Sequence, residues 1–252
     1  MNKKSIIYVP YYAVDTYQNC QQKWKYIFRD NMKTEAEPSL FEHMVFSDTL
    51  SECFLCKIRY GQDPDIDMVM KTMQKYLKDR EDNLQVNWSR YNRVESYDRI
   101  EIALNIYMEK VFEQVEPVEI NPPWAIKIGD YKVGGRVNLK LANGVYLNYS
   151  IGSKATAQSS LDKDEKVTAI AAGLGVPFRF VKHVSVLKSK PDVDHKFTTR
   201  TWEQVNLWIQ KTKKVLKQME TGITYPNIGS WLCDEDKCPF WETCRFDLEN
   251  EL

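Results

Sequence analysis

The chain has 252 residues with 35 Lys and Arg against 35 Asp and Glu, zero formal charge, 43% hydrophobic and 12% aromatic content. Its 14 Tyr, 10 Phe and 7 Trp supply enough apolar surface to offset chain entropy, which excludes a disordered chain; only 10 Gly and 10 Pro exclude a collagen-like or low-complexity one. No apolar run approaches the about 18 residues needed to span a bilayer, and Met1 to Tyr8 is too short for a secretory signal, so a cytoplasmic protein is expected, of a bacterial or virus-infected cell.

In chain order, the sequence predicts helices first. Asp15 to Asp30 spaces Cys20, Trp24, Ile27 and Phe28 near the helical period, and Leu40 to Tyr60 places Cys53 and Cys56 on one helical face, as core thiols rather than ligands. Ile66 to Glu81 and Asp98 to Val115 complete this region, which ends at Pro117 and Pro122-Pro123. Two hairpins follow: Trp124 to Gly135 turns at Gly129-Asp130, and Arg136 to Ser150 turns at Asn143-Gly144. Leu161 to Gly173 reads as a weak helix, Arg179 to Leu187 as a strand, and Trp202 to Glu220 as the clearest helix, with Val205, Trp208, Val215 and Leu216 on its buried stripe. The fold class is α/β with a mixed sheet, with no repeat and no linker.

Six cysteines without a secretory signal point to thiols, metal ligands or core residues rather than disulfides. Three of them, Cys233, Cys238 and Cys244, crowd a tail with little helical or strand periodicity. Such a segment cannot fold by burying itself, but three thiolates on a metal would fold it, because binding energy becomes folding energy. A zinc site or an iron–sulfur cluster wants a fourth soft ligand, and Cys20 is the candidate.

Taken together, Cys20 with Cys233, Cys238 and Cys244, the Trp231-Leu232-Cys233 and Cys238-Pro239-Phe240-Trp241 phrases, and Gly135-Arg136-Val137 leading to Asn143-Gly144 resemble the PD-(D/E)XK nuclease superfamily. The branch they look like is the RecB-like and CRISPR-adaptation exonucleases with a four-cysteine [4Fe-4S] cluster. The resemblance implies one domain over 1–252: a nuclease-like core at 116–220, a helical insertion at 31–115, and cluster-binding ends at 1–30 and 221–252. The Cys233 to Cys238 spacing is wider than the family usually shows.

The family's hydrolysis needs two acidic ligands for Mg²⁺ or Mn²⁺ and a lysine beside the attacking water. Where it has Asp after Gly-Arg-Val this chain has Asn138, and where it has Asp-x-Lys this chain has Asn148 and Ser150; a one-residue slip gives Tyr149 and Ile151. Its metal-binding histidine would fall at Phe46, with His43 out of spacing, and its glutamine near Lys166. Of the acidic set, Glu119 alone survives. The resemblance therefore implies a pseudo-nuclease whose scaffold and cluster remain without the hydrolytic centre. An active exonuclease with a rearranged site would need ligands among Glu119, Asp162, Asp164 and Glu165, the last three on a helix where such charges usually face solvent.

From Lys154 to Lys217 there are 13 basic residues against 6 acidic, so the neutral chain divides into a basic segment and an acidic remainder. With carboxylates replaced by amides, the groove would favour DNA, and Arg136, Lys154, Lys211, Lys214 and Lys217 are candidate contacts. The other readings are a solvated helix face for the lysines and, for the whole chain, a protein-interaction module regulating a nuclease, helicase or defence complex.

Overall fold

The computed structural model describes residues 6–89, 92–175, 177–187 and 190–250, so Lys188 lies outside the described residues. The order of elements is β1 (Ile7–Pro10), α1 (Tyr11–Asn19), α2 (Gln21–Trp24), a π-helical turn (Lys25–Arg29), α3 (Pro38–Tyr60), α4 (Ile66–Asn83), α5 (Arg93–Lys110) and a 3₁₀ turn (Phe112–Gln114). Then come β2 (Pro117–Ile120), β3 (Pro123–Ile128), β4 (Tyr131–Arg136), β5 (Leu139–Leu141), β6 (Tyr146–Gly152), α6 (Gln158–Asp162), α7 (Glu165–Leu174), β7 (Phe178–Val186), β8 (Asp192–Arg200), α8 (Trp202–Thr221) and α9 (Trp241–Asn250).

Two mixed sheets form, β1-β4-β3 and β2-β5-β6-β7-β8. Strands β1 and β4 run parallel, as do β6 and β7; the other pairs are antiparallel. Period-two alternation divides the larger sheet between two cores. Leu147 and Tyr149 face the α3–α5 side with Phe41, Phe46, Phe54, Leu104 and Tyr107, while Phe178 and Phe180 join the core built with α1, α7 and α8 through Val14, Ile170, Val205 and Trp208. The α/β expectation with helices on the sheet faces holds.

Several elements depart from the sequence reading. The Asp15–Asp30 helix is interrupted at Cys20, whose extended backbone (φ −160°) caps α1 and starts α2. The last predicted long helix of the first region begins earlier, at Arg93, because Asn92 caps it, its side chain accepting from Val94 N; Val111 and Phe112 fall beyond its end. The weak 161–173 helix is two pieces, broken where the Asp164 side chain caps α7. Strands β1, β2 and β8 and helix α9 went unpredicted; α9 falls in the tail that shows little periodicity. The reading of Cys53 as a core thiol agrees with its burial, which pushes its pKa up to about 12; Cys56 is half-buried.

Candidate functional site

Two cavities collect the residues of chemical interest. The larger, about 640 Å³, is lined by Cys20, Cys233, Cys238 and Cys244, with Tyr26, Phe240 and Trp241 among its walls. The chain brings its two ends together there by hydrogen bonds that bypass the sheets. Gln22 N donates to Tyr225 O at 3.2 Å and Tyr225 N to Gln21 Oε1 at 3.2 Å, Thr224 Oγ1 donates to Gln22 Oε1 at 2.9 Å, and Asn227 Nδ2 to Asn19 O at 2.9 Å. On the far side Tyr26 Oη donates to Asp247 Oδ2 at 2.8 Å, and its ring packs on Phe240 at 5.1 Å.

Each tail cysteine sits on a local turn. Cys233 N donates to Ser230 O at 2.9 Å, Cys238 N to Asp234 O at 2.9 Å, and Cys244 N to Phe240 O at 2.8 Å as α9 begins. Burial first, and the neighbouring Cys238 and Cys20 thiols second, hold Cys233 above the usual thiol range. Cys244 is raised by burial and then by Cys20. The four thiols thus line one cavity, yet among the described residues no group of three or more His, Cys, Asp or Glu side chains is gathered as for a metal ion.

The second cavity, about 340 Å³, takes in Arg136, Asn138, Asn148, Ser150 and Lys166, together with His43, Asp164 and Lys182. Its two asparagines sit where the chain passes from β4 into β5 and on β6. Asn138 N donates to Asn148 Oδ1 at 3.0 Å, Tyr149 N donates to Asn138 Oδ1 at 3.3 Å, and Asn138 Nδ2 donates to Ser47 Oγ at 3.0 Å. Both amide oxygens therefore accept backbone N–H groups, tying strand to strand. Asp164 Oδ1 takes Lys166 N at 2.8 Å and Val167 N at 3.3 Å as the cap of α7. Buried Arg200 fixes that turn, donating to Leu161 O at 2.8 Å, Asp164 O at 3.1 Å and Thr168 Oγ1 at 2.8 Å.

This donor set does not fit Mg²⁺ or Mn²⁺. Mg²⁺ is held by one or two free carboxylates together with substrate phosphates; the one carboxylate here is half used as a helix cap, and the two amide oxygens already accept backbone hydrogens. The cavity is instead cationic at its walls. Burial first, and Lys166 and Lys182 second, depress the His43 pKa.

Glu119 lies outside this cavity, exposed on β2 in register with Lys140. Asp164, expected on a solvent-facing helix, is instead the helix cap facing the cavity. Phe46 is buried in the α3–α5 core, whereas His43, set aside on spacing, does line the site. Lys182 was missed as a site residue; its register partner on β6 is Asn148, a pairing that only the parallel β6–β7 alignment reveals. Arg136 donates to Asn121 O at 2.8 Å. Lys211 pairs with Glu165 beside the α7 start, Lys217 lines a separate hollow at the β3–β4 turn, and Lys154 and Lys214 are exposed away from both cavities' walls.

Mixed sheets flanked by helices, with a polar cavity at the bend between β4 and β5, make an α/β fold that is similar to a solved one. A solved structure named "Putative exonuclease" from Eubacterium rectale superposes on it with a TM-score of 0.61 at 10% identity, covering 98% of this chain and 89% of that one. The structure of SSO0001 matches at a TM-score of 0.32 and 6% identity over 87% of this chain and 93% of that one, too loose to bear on the fold. No protein-family model and no curated protein matches the chain. No described helix is long and apolar enough to cross a membrane.

Proposed function

We propose that the chain is a catalytically degenerate nuclease of the RecB-like PD-(D/E)XK type, which binds DNA at the Asn138–Asn148 cavity and carries a [4Fe-4S] cluster on Cys20, Cys233, Cys238 and Cys244. The observation that carries it is the asparagine pair: where a nuclease of this fold needs metal-binding carboxylates, the two side-chain oxygens accept backbone N–H groups, amid Arg136, Lys166 and Lys182. A phosphate backbone suits such a wall, since each neutralised phosphate releases counterions. Arg136, Lys166 and Lys182 then hold the strand, while Asp164 orders the turn carrying Lys166 and contributes no hydrolysis.

For the cysteine cavity, the support is four soft thiols around one space walled by aromatic rings. A four-iron cluster is bulkier than a single ion and keeps its ligands further apart, in line with thiols that share a cavity without closing on one point. When bound, such a cluster supplies cross-linking of the two chain ends and a redox-active centre; zinc is the rival occupant.

The test is incubation of purified protein with labelled single- and double-stranded DNA and Mn²⁺. Salt-sensitive binding without cleavage is expected. Metal-dependent cleavage abolished by Asp164→Ala would overturn the degenerate reading.

A second reading, a docking module for a nuclease, helicase or defence component, is favoured by apolar residues exposed on the C-terminal segment, Ile228 at 78% and Trp231 at 73%. Pull-down of a partner that persists in Arg136→Ala and Lys182→Ala variants lacking DNA binding would support it.

A further inference from the structure

We infer that the outward face of the β1-β4-β3 sheet is a second binding surface for single-stranded nucleic acid, continuous with the asparagine cavity through Arg136; the inference rests on that cavity's proposed DNA binding. Strand register sorts the residues of this sheet onto two faces. Val9, Val133, Trp124 and Ile128 turn inward to the core with α1, α7 and α8. The opposite face carries Tyr8, Lys132 and Lys127 in one cross-strand row, Pro10, Gly134 and Ala125 in the next, and Arg136 with Pro123 in the last.

Three features suit this face to an unpaired strand. It has three cations and no carboxylate in these rows, and Lys127 and Lys132 pair with no acid among the described residues. Its middle row is low: a Cβ at Gly134 would stand 2.5 Å from Trp124 O, so no side chain can rise there between the cations. Tyr8 is 57% exposed beside Lys132, an aromatic plane open to a base. Unpaired bases stack on such rings while lysines track the phosphates; bases already paired in a duplex cannot reach them.

The path between the two sites is also on the molecule. A hollow of about 420 Å³ is lined by Tyr8, Lys132 and Arg136, and Arg136 lines the asparagine cavity as well. One guanidinium thus borders both, so a strand leaving the cavity meets Arg136 and then Lys132 and Tyr8. Lys127 lies one strand further across the same row.

The experiment is fluorescence anisotropy of full-length protein with an oligothymidylate of about 15 nucleotides and with a duplex, over a salt series, each variant first shown to melt like wild type. Tyr8→Ala should weaken single-strand binding about 10-fold, Tyr8→Phe should restore it, and duplex binding should not change. Lys127→Ala and Lys132→Ala should each lower the salt slope for single strands by about 0.7. If Lys182→Ala weakens binding but the Tyr8, Lys127 and Lys132 variants behave as wild type, this surface is refuted and the cavity reading stands. If wild type binds no DNA at all, the cavity reading fails and this one with it.

Discussion

At the cysteine cavity four thiols from both chain ends face a shared space, whereas at the asparagine cavity the side-chain oxygens are already engaged by the protein's own backbone. The walls of the first are tied across the chain by long-range hydrogen bonds such as Tyr26 to Asp247. The second is self-sufficient. Asn148 Oδ1 accepts from Asn138 N and Asn138 Oδ1 accepts from Tyr149 N, which closes the gap between the strands. The two cavities are separable by mutation.

The largest effect expected is at the cysteines. On the proposed cluster assignment, Cys238→Ser should remove the broad visible absorbance and the iron of anaerobically purified protein and should unfold the tail beyond α8, since cluster binding there would be folding energy. Protease sensitivity of the C-terminal segment and iron content check it together; zinc in place of iron would keep the four-thiol site and discard the cluster.

Next is Arg200, which is buried and donates to the Leu161 and Asp164 carbonyls of the turn before α7 and to Thr168 within that helix. Arg200→Met should cost about 3 kcal/mol in chemical denaturation by stripping those acceptors of their donors. Lys at this position should not rescue it, because one ammonium cannot reproduce a planar fork.

A comparable effect should come from acid. His183, buried between Tyr107 and His195, has its pKa lowered from 6.5 to about 4 by burial and then by His195. The unfolded chain therefore binds the extra proton first as pH falls. Stability should be complete above about pH 6.5 and lost progressively towards pH 4, by roughly 3 kcal/mol for this group. His43, depressed for similar reasons, acts with the same sign. Urea denaturation at pH 7 and 4.5 should show the loss, and His183→Gln should flatten it.

Smaller still, Asn138→Ala leaves Tyr149 N–H without its acceptor and should cost about 1 to 3 kcal/mol, read as a shift in the urea midpoint. It should leave the cluster absorbance untouched, which separates the two cavities directly.

Much of this was legible in the sequence where local chemistry decides. The Asn143-Gly144 turn, the Gly129-Asp130 hairpin and the stripe of the Trp202 helix all follow from nearby residues, and they form as expected. So does the absence of the expected carboxylates at 138 and 148. What could not be read is set by pairing at a distance. Strand β8, rich in charge from Asp192 to Arg200, forms against β7 in a register running from Val186–Asp192 to Phe178–Arg200. Lys182 and His43 join the cavity through strand register and a helix crossing, and Asp164 does so because a helix breaks at it. Glu119 carries the right chemistry on the wrong strand. Cys20 meets the tail through Gln21 and Gln22, two glutamines with no motif of their own.

The most direct measurement is made on anaerobically purified protein mixed with a labelled single strand, with and without Mn²⁺, followed by resolving the bound fraction and the strand length in the same sample. A salt-sensitive shift with the oligonucleotide intact under both conditions is the predicted result. Shortened products that require Mn²⁺ and vanish in Asp164→Ala would contradict it.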